Sequence, residues 1–351
     1  MVCQARIGTA RACMGVSDMT PELKALIESA SSAASRKAMI FDLKVYETWA
    51  KQWGPAEPLP ATPEMVAEFI AAMGPTRAVS TVTRYVSSLS RIHDRSGWEN
   101  PTKTPIVRDA LTGLRRTKYT SPVQSPALSG RQLIDIISGL SQTEWASQRN
   151  RALFSIGWTC ALRCSELASL RLEDIDLVYA DERDDPQSPC SVVVHIRKGK
   201  TDQEGTGKSM GIPVSPLASI VQRWVGMLVS LYLDTTGPLF PRFSRSSKDR
   251  YFPRTGKRPG LSTRGISKTI RQIMLAHSFN GSVHSLRRGM ITEAARCDVP
   301  ESIIMRHSRH RSSRNLRTYI EAGNLFTDNP LPAIFSRLFS GSSQDSKLGR
   351  V

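Results

Sequence analysis

The stretch at positions 284–319, HSLRRGMITEAARCDVPESIIMRHSRHRSSRNLRTY, carries more chemistry than any other part of this 351-residue chain. His284 and Arg287 are three residues apart, which puts them on one face of a helix. Asp298, Pro300 and Glu301 read as the start of a second helix, with Ile303, Ile304 and Met305 on its apolar side and an end near His307. From Arg306 onward come five arginines and two histidines, with no acid before Glu321. Ser312 or Ser313 can cap a third helix that carries Leu316, Tyr319 and Ile320 toward Gly323. Tyr319 therefore sits among cations and has two readings. One is a core aromatic with a hydrogen-bonded hydroxyl; the other is a phenolate nucleophile activated by its surroundings.

Spacing shifts the balance between them. His310 precedes Tyr319 by nine residues and follows Arg287 by 23, and upstream the segment ALRCSELASLRLEDID sets Arg163 three residues before Glu166. In this ordered set the chain resembles the tyrosine recombinases, the phage integrase family, over about residues 20–340. The segment TVTRYVSSLSRIHDRSG, positions 81–97, resembles the core-binding domain of Cre-like members.

The resemblance implies a mostly α fold. A helical, SAM-like core-binding domain would be joined to a mixed α/β catalytic domain with a small β-sheet or hairpin, the DNA-breaking-rejoining fold. It carries the family's two arginines onto Arg163 and Arg287, its histidine onto His284, its His/Trp position onto His310 and its nucleophile onto Tyr319, with Glu166 in support. The catalytic lysine falls on Lys200, which precedes Thr201, while Lys198 stands two residues away. Arg309 occupies a position where the family commonly has glycine, a departure that leaves every catalytic group in place.

In chemical terms, Arg163 and Arg287 offer forked donors to a phosphodiester, and His284 takes the Tyr319 proton. His310 helps hold the phosphate, and Lys200 protonates the departing 5′ oxygen. The resemblance implies a 3′-phosphotyrosyl link as product, which a 5′-hydroxyl from a partner duplex can attack without ATP, metal or any other cofactor. The expected partners are double-stranded DNA with paired recombination sites and a homotetramer assembled through a C-terminal helix. Two alternatives are a type IB topoisomerase, resealing the same strand, and a DNA-binding protein that does not cleave.

Composition agrees with a polyanionic partner. Lys plus Arg is 48 against 31 Asp plus Glu, a formal charge of +17, while 40% of residues are apolar. No run of about 18 uncharged apolar residues exists to span a membrane, and the first residues lack the apolar core of a secretory signal. A cytoplasmic, nucleoid-associated protein of bacterial, phage or plasmid context is expected. The six cysteines include no C-x-x-C pair, so free thiols are expected and no metal site. Cys160 and Cys164 would lie one turn apart if they share a helix. Gly205 to Ser209 has the look of a phosphate loop, but Asp202 stands where that motif needs glycine.

Length predicts two domains. Residues 1–19 read as a disordered tail, 20–118 as the helical DNA-binding domain and 119–128 as a linker. Residues 129–340 read as the catalytic domain with a docking helix near 330–340, followed by a tail at 341–351. In the first domain, Ile40, Leu43, Tyr46, Ala50 and Trp53 mark one helix, ending at Gly54. Thr62, Pro63 and Gly74 cap, open and stop another. In a third, Val79, Val82, Val86, Leu89 and Ile92 form the buried stripe. Thr81, Arg84, Ser87, Ser88, Arg91 and Arg95 lie largely away from that stripe and read either as a major-groove face or as a solvated one.

After the linker, residues 129–140 and 149–170 look helical, the second centrally buried. SVVVHIRKGK and KSMGIPV read as a hairpin bearing Lys198, Lys200 and Lys208. Positions 242–271 hold ten basic residues and one acid, Asp249, and are expected to track the DNA backbone. Leu331, Ile334, Phe335, Leu338 and Phe339 give the terminal helix an apolar side that must dock, on its own domain or on a neighbour.

Overall fold

The computed structural model describes residues 32–53, 57–118, 124–179, 188, 190–197, 207–232, 236–243, 259–310, 312–323 and 331–339. Contacts within the chain separate into two compact units, residues 1–122 and 123–351.

The first unit is helical. Helices α1 (Ala33–Trp53), α2 (Pro63–Met73), α3 (Val79–Ser96) and α4 (Pro105–Thr117) close around Tyr46, Trp49, Phe69, Ile70, Val82, Tyr85, Val86, Leu89 and Val107. Phe69 is its centre, edge-on to Tyr46 at 5.2 Å and within 5.2 and 5.9 Å of the rings of Trp49 and Tyr85. Thr62 caps α2 by accepting from the Met65 amide, with Pro63 in the first turn and Gly74 at the end, as its sequence predicts. The stripe expected on α1 is rotated. Ile40 is exposed and Asp42 is buried, because Asp42 accepts from Arg84 and, at 2.7 Å, from the Ser88 hydroxyl of α3. A buried carboxylate with these partners redirects the face toward Tyr46, Trp49 and Ala50.

The second unit is built around α6 (Trp145–Thr159), whose Ala152, Leu153, Phe154 and Ile156 are fully buried. It is preceded by α5 (Gly130–Ser138), opened by a Ser129–Gln132 capping box. Helix α7 (Cys164–Ser169) follows, so the single helix expected over 149–170 is broken at residues 160–163, where Ala161 takes a left-handed φ of 47°. Cys160 and Cys164 therefore do not share a helix; both are free thiols.

An antiparallel sheet comes next, ordered β1 (Ile175–Tyr179), β2 (Cys190–Ile196), β3 (Lys208–Ile212). The expected hairpin is β2 and β3, in register through Val192 with Ile212 and Val194 with Met210. The third strand, β1, was not visible as such in the sequence. Period-two burial turns Cys190, Val192, Val194 and Ile196 inward, toward α8 (Pro216–Tyr232), whose Trp224 is fully buried.

The remaining helices are α9 (Thr263–Ala276), α10 (Val283–Arg296), α11 (Glu301–Ser308), α12 (Ser313–Gly323) and α13 (Leu331–Phe339). A satellite core of Ala161, Met290, Ile291, Ala295, Ile304 and Leu316 fixes α10, α11 and α12 against the end of α6. Residues 125–128, read in the sequence as linker, pack on this unit. The Leu128 amide donates to Ser285 at 3.0 Å, and its carbonyl accepts from the Trp158 indole at 3.0 Å. That carbonyl passes so close to α10 that a β-carbon at Gly289 would lie 1.8 Å from it, so only glycine fits there. No described helix is long and apolar enough to cross a membrane.

Candidate active site

The amides of residues 160–162 close the last turn of α6 on the carbonyls of residues 156–158, and the next three carbonyls, of Thr159, Cys160 and Ala161, are taken by side chains from α10, α11 and the residue that caps α11. His307 Nε2 binds the Thr159 carbonyl at 2.7 Å. Arg309 donates to Cys160 at 3.0 Å and to Ala161 at 3.2 Å, and Arg287 donates to Ala161 at 2.7 Å. The left-handed turn at Ala161 points these carbonyls toward the guanidinium groups. It also brings Arg163 to the start of α7, where its amide and its guanidinium are both held by Glu166, at 2.9 and 2.7 Å.

Arg287 is 1% exposed, and its second terminal nitrogen donates to the Ser308 carbonyl and, at 3.3 Å, to His310 Nε2. A guanidinium can only donate, so His310 is a neutral ring that accepts at Nε2 and donates from Nδ1 to the Ser308 hydroxyl at 2.6 Å. Burial, then the charges of Arg287 and Arg163, push His310 down to about 4. The same causes act on Arg287 itself: burial first, then Arg163 and Arg309, push it down to about 9, still protonated at neutral pH. Burial raises the Glu166 carboxyl, but the Arg163 amide and the charges of Arg309 and Arg163 hold it below the usual range.

Tyr319 is half-buried on α12. Its hydroxyl lies 3.3 Å from His284 Nε2, its ring is 6.1 Å from that of His310, and the Arg288 guanidinium stacks over it at 5.0 Å. His284 sits at the solvent edge. Partial desolvation, followed by the charges of Arg287, Arg288 and Arg163, lowers its pKa, so the ring is neutral and able to accept a proton at neutral pH.

Arg163 and Arg309 thus share one carboxylate, Glu166, while Arg287 beside them is held by the carbonyls of Ala161 and Ser308 and by His310. This pocket of uncompensated positive charge has a tyrosine hydroxyl and a proton acceptor at its mouth, which is what attack on a phosphodiester needs.

No family model matches the chain. Among curated proteins it is similar to an integrase/recombinase, the xerD homolog of Selenomonas ruminantium, with 29% identity covering 90% of this chain and 89% of that one. It is also similar to the recombinase cre of Escherichia phage P1, with 25% identity over 75% of this chain and 77% of that one. Over most of its length the chain is thus similar to site-specific recombinases. Among solved structures, the fold of the chain matches that of the XerH site-specific recombinase bound to a palindromic difH substrate in a post-cleavage complex. The TM-score is 0.55 at 17% identity, covering 86% of this chain and 78% of that one.

Of the residues singled out in the sequence, Arg163, Glu166, His284, Arg287, His310 and Tyr319 are brought together. Lys200, its neighbour Lys198 and residues 244–258 of the basic stretch lie outside the described residues, as do residues 1–19, Gly54 and the tail at 341–351. On α3, Arg91, Arg95 and Ser87 are exposed and Thr81 is half-buried. Ser88 is 7% exposed and donates inward to Asp42, so its hydroxyl does not face outward with the others. Arg84 remains exposed but is paired with the same carboxylate.

Sequence reasoning missed Arg288, Ser308 and Arg309. For Arg309 the signal was present, as the one position where the chain departs from the family's glycine. What it holds became visible only with the α6 carbonyls in place.

Proposed function

We propose that this recombinase cuts and rejoins duplex DNA site-specifically through a 3′-phosphotyrosyl intermediate, exchanging one strand per site at a time. The observation that carries the reading is the Tyr319 hydroxyl 3.3 Å from a neutral His284, at the mouth of the Arg163–Arg287–His310 pocket.

As Tyr319 attacks phosphorus, its proton passes to His284 Nε2, and negative charge grows on the nonbridging oxygens where the two arginines point donors. The phosphate brings the negative charge that the arginine cluster lacks. That charge opposes the Arg287 and Arg163 contribution to keeping His310 neutral, so a protonated His310 beside the phosphate can donate to one of its oxygens. Lys200 protonates the 5′ oxygen as it leaves. The covalent ester conserves the free energy of the broken bond, so a 5′-hydroxyl from the partner duplex reverses the step and returns the proton through His284.

Glu166 does not touch the phosphate; it orients Arg163 and balances Arg309. On α3, Thr81, Ser87, Arg91 and Arg95, with Arg84, form the face that meets DNA. The boundaries at 20–118, 119–128 and 129–340 are retained as functional domains, with the packing of residues 125–128 assigned to the catalytic one. Paired DNA sites would hold a homotetramer. Leu331, Ile334 and Phe335, exposed at 44%, 46% and 48% on α13, are the surface that links neighbouring subunits. The protein acts in the cytoplasm on bacterial, phage or plasmid DNA.

The test is to incubate the protein with supercoiled DNA from its own genomic neighbourhood, quench with detergent and locate the covalent adducts. Adducts at one recurrent position are expected. Adducts scattered along the DNA would favour a topoisomerase, and tight binding without adducts would overturn cleavage.

A further inference from the structure

Arg309 is 8% exposed and closes α11 in the left-handed conformation, at φ 58° and ψ 42°. A glycine makes that turn without steric cost, whereas an arginine makes it against the clash between its β-carbon and the backbone. The conformation therefore persists because of what the side chain does. Its guanidinium donates to the carbonyls of Cys160 and Ala161, at 3.0 and 3.2 Å, and to Glu166 at 3.0 Å. A longer contact, 3.4 Å, reaches back to the His307 carbonyl. The four N–H groups of its terminal nitrogens meet four acceptors of the protein, whereas those of Arg287 meet three, so Arg309, unlike Arg287, has no terminal donor left for a phosphate.

The groups it joins belong to different parts of the site. Cys160, Ala161 and Glu166 belong to the loop and helix that carry Arg163, and Ala161 also accepts from Arg287. Arg309 itself lies between Ser308 and His310, the two residues that set the ring of His310 and accept from Arg287.

We propose that Arg309 is a positioning residue that staples the Arg163 loop to the His310 turn, so that Arg163, Arg287 and His310 form one preorganised phosphate cradle. The proposal rests on the reading of this pocket as a phosphodiester site. It assigns a role to the position where this chain departs from the family's glycine. With Arg309 removed, Glu166 loses one of its two guanidinium partners, and the carbonyls of residues 160 and 161 lose their link to the turn. The cradle then has to be reassembled around each substrate, a cost that falls on the chemical step more than on the many phosphate contacts that govern binding.

Arg309→Gly tests this directly, because glycine relieves the turn while deleting the staple. Two measurements are made on full-length wild type, Arg309→Gly and Arg309→Lys, at a temperature where circular dichroism shows all three folded. The first is the single-turnover rate of covalent adduct formation on a nicked duplex, built from the sequence the protein enriches out of a random library. The expected result for Arg309→Gly is a loss of about 100-fold in rate with the dissociation constant within about threefold, and an intermediate rate for the lysine variant, which keeps the charge but not the fork. The second is backbone hydrogen exchange over residues 159–166, which should accelerate in Arg309→Gly without any DNA present.

An unchanged adduct rate in Arg309→Gly, or unchanged exchange over 159–166, would overturn the proposal. So would equal losses of binding and rate, which would make Arg309 an ordinary structural residue. If the wild type itself formed no adduct, the reading of the pocket would fall, and the exchange measurement alone would then decide whether the staple exists.

Discussion

The arginines of α3 and those around the end of α6 are the same residue type in opposite circumstances. On α3, Arg91 and Arg95 project from an exposed face, and Arg84 keeps solvent contact while pairing with Asp42. Around α6, Arg287 and Arg309 are buried, and their donors are assigned to particular carbonyls before any substrate arrives. Exposed guanidinium groups act through their charge, which salt screens and any phosphate can satisfy. Buried ones act through direction: their orientation is fixed during folding, so little reorganisation remains for the transition state. The first arrangement suits holding DNA and the second suits reacting with it.

The sharpest way to break this contrast is Arg287→Ala. Removing a preorganised donor from the point where charge develops should lower the rate of adduct formation by about 100- to 1,000-fold with little change in DNA affinity. Rate measured at saturating DNA, beside a binding titration, checks it; comparable losses in both would make Arg287 a mere anchor like those on α3.

The scaffold comes next. Gly289→Ala would drive a methyl group into the Leu128 carbonyl and should destabilise the second unit by about 3 kcal/mol, read as a lowered melting temperature by calorimetry. An unshifted melting temperature would mean that the contact between residue 128 and α10 is not as drawn.

Acidity probes the electrostatics of the buried cluster. His284 must be neutral to accept the Tyr319 proton, and its pKa is lowered, so protonation begins only at a pH below the ordinary imidazole value of about 6.5. The rate of adduct formation should therefore be flat around neutrality and fall by about tenfold per pH unit once the pH is below that lowered value. An acid limb centred above 6.5 would contradict the neighbouring positive charges. Folding is linked in the same sense. His310 has a depressed pKa of about 4, so the unfolded chain binds a proton between about 6.5 and 4 that the folded chain refuses. Stability should drop as the pH falls through that window, and His310→Gln should flatten the drop.

The smallest effect belongs to the exposed face. Arg91→Ala should weaken binding across sequences alike and reduce the salt dependence by about one phosphate contact, leaving the cleavage rate at saturation unchanged. A variant that cleaves slowly while binding normally would place Arg91 in the chemistry instead.

The two regions also differ in how much of them could be read from sequence. Arg163, His284, Arg287, His310 and Tyr319 were singled out by the resemblance of their order and spacing to a family motif, and the helices that carry them bring their side chains to one pocket. The break at 160–163 was not. Ala161 is a helix-forming residue, and no glycine or proline marks the turn; what ends α6 there is the demand of Arg287 and Arg309 for its carbonyls, a tertiary effect. Strand β1 was hidden for a similar reason, since five residues with an acid, Asp176, in second place acquire strand character only by pairing with β2, where His195 meets that acid at 2.6 Å. On α3 the periodic pattern located the buried stripe but assigned Ser88 to the outward face, because the carboxylate that draws it inward is Asp42, 46 residues away.

In the proposed reaction Tyr319 carries the broken strand. The most direct measurement is to digest the detergent-quenched adduct with protease, identify the DNA-linked peptide by mass spectrometry, and determine the chemistry of the DNA end by sequencing and end-labelling. One peptide joined through Tyr319 to a 3′-phosphate, a free 5′-hydroxyl on the opposing end, and no adduct from Tyr319→Phe, which still binds DNA, are expected. A link through any other residue, a 5′-phosphate at the junction, or an adduct that persists in Tyr319→Phe would contradict the proposed reaction.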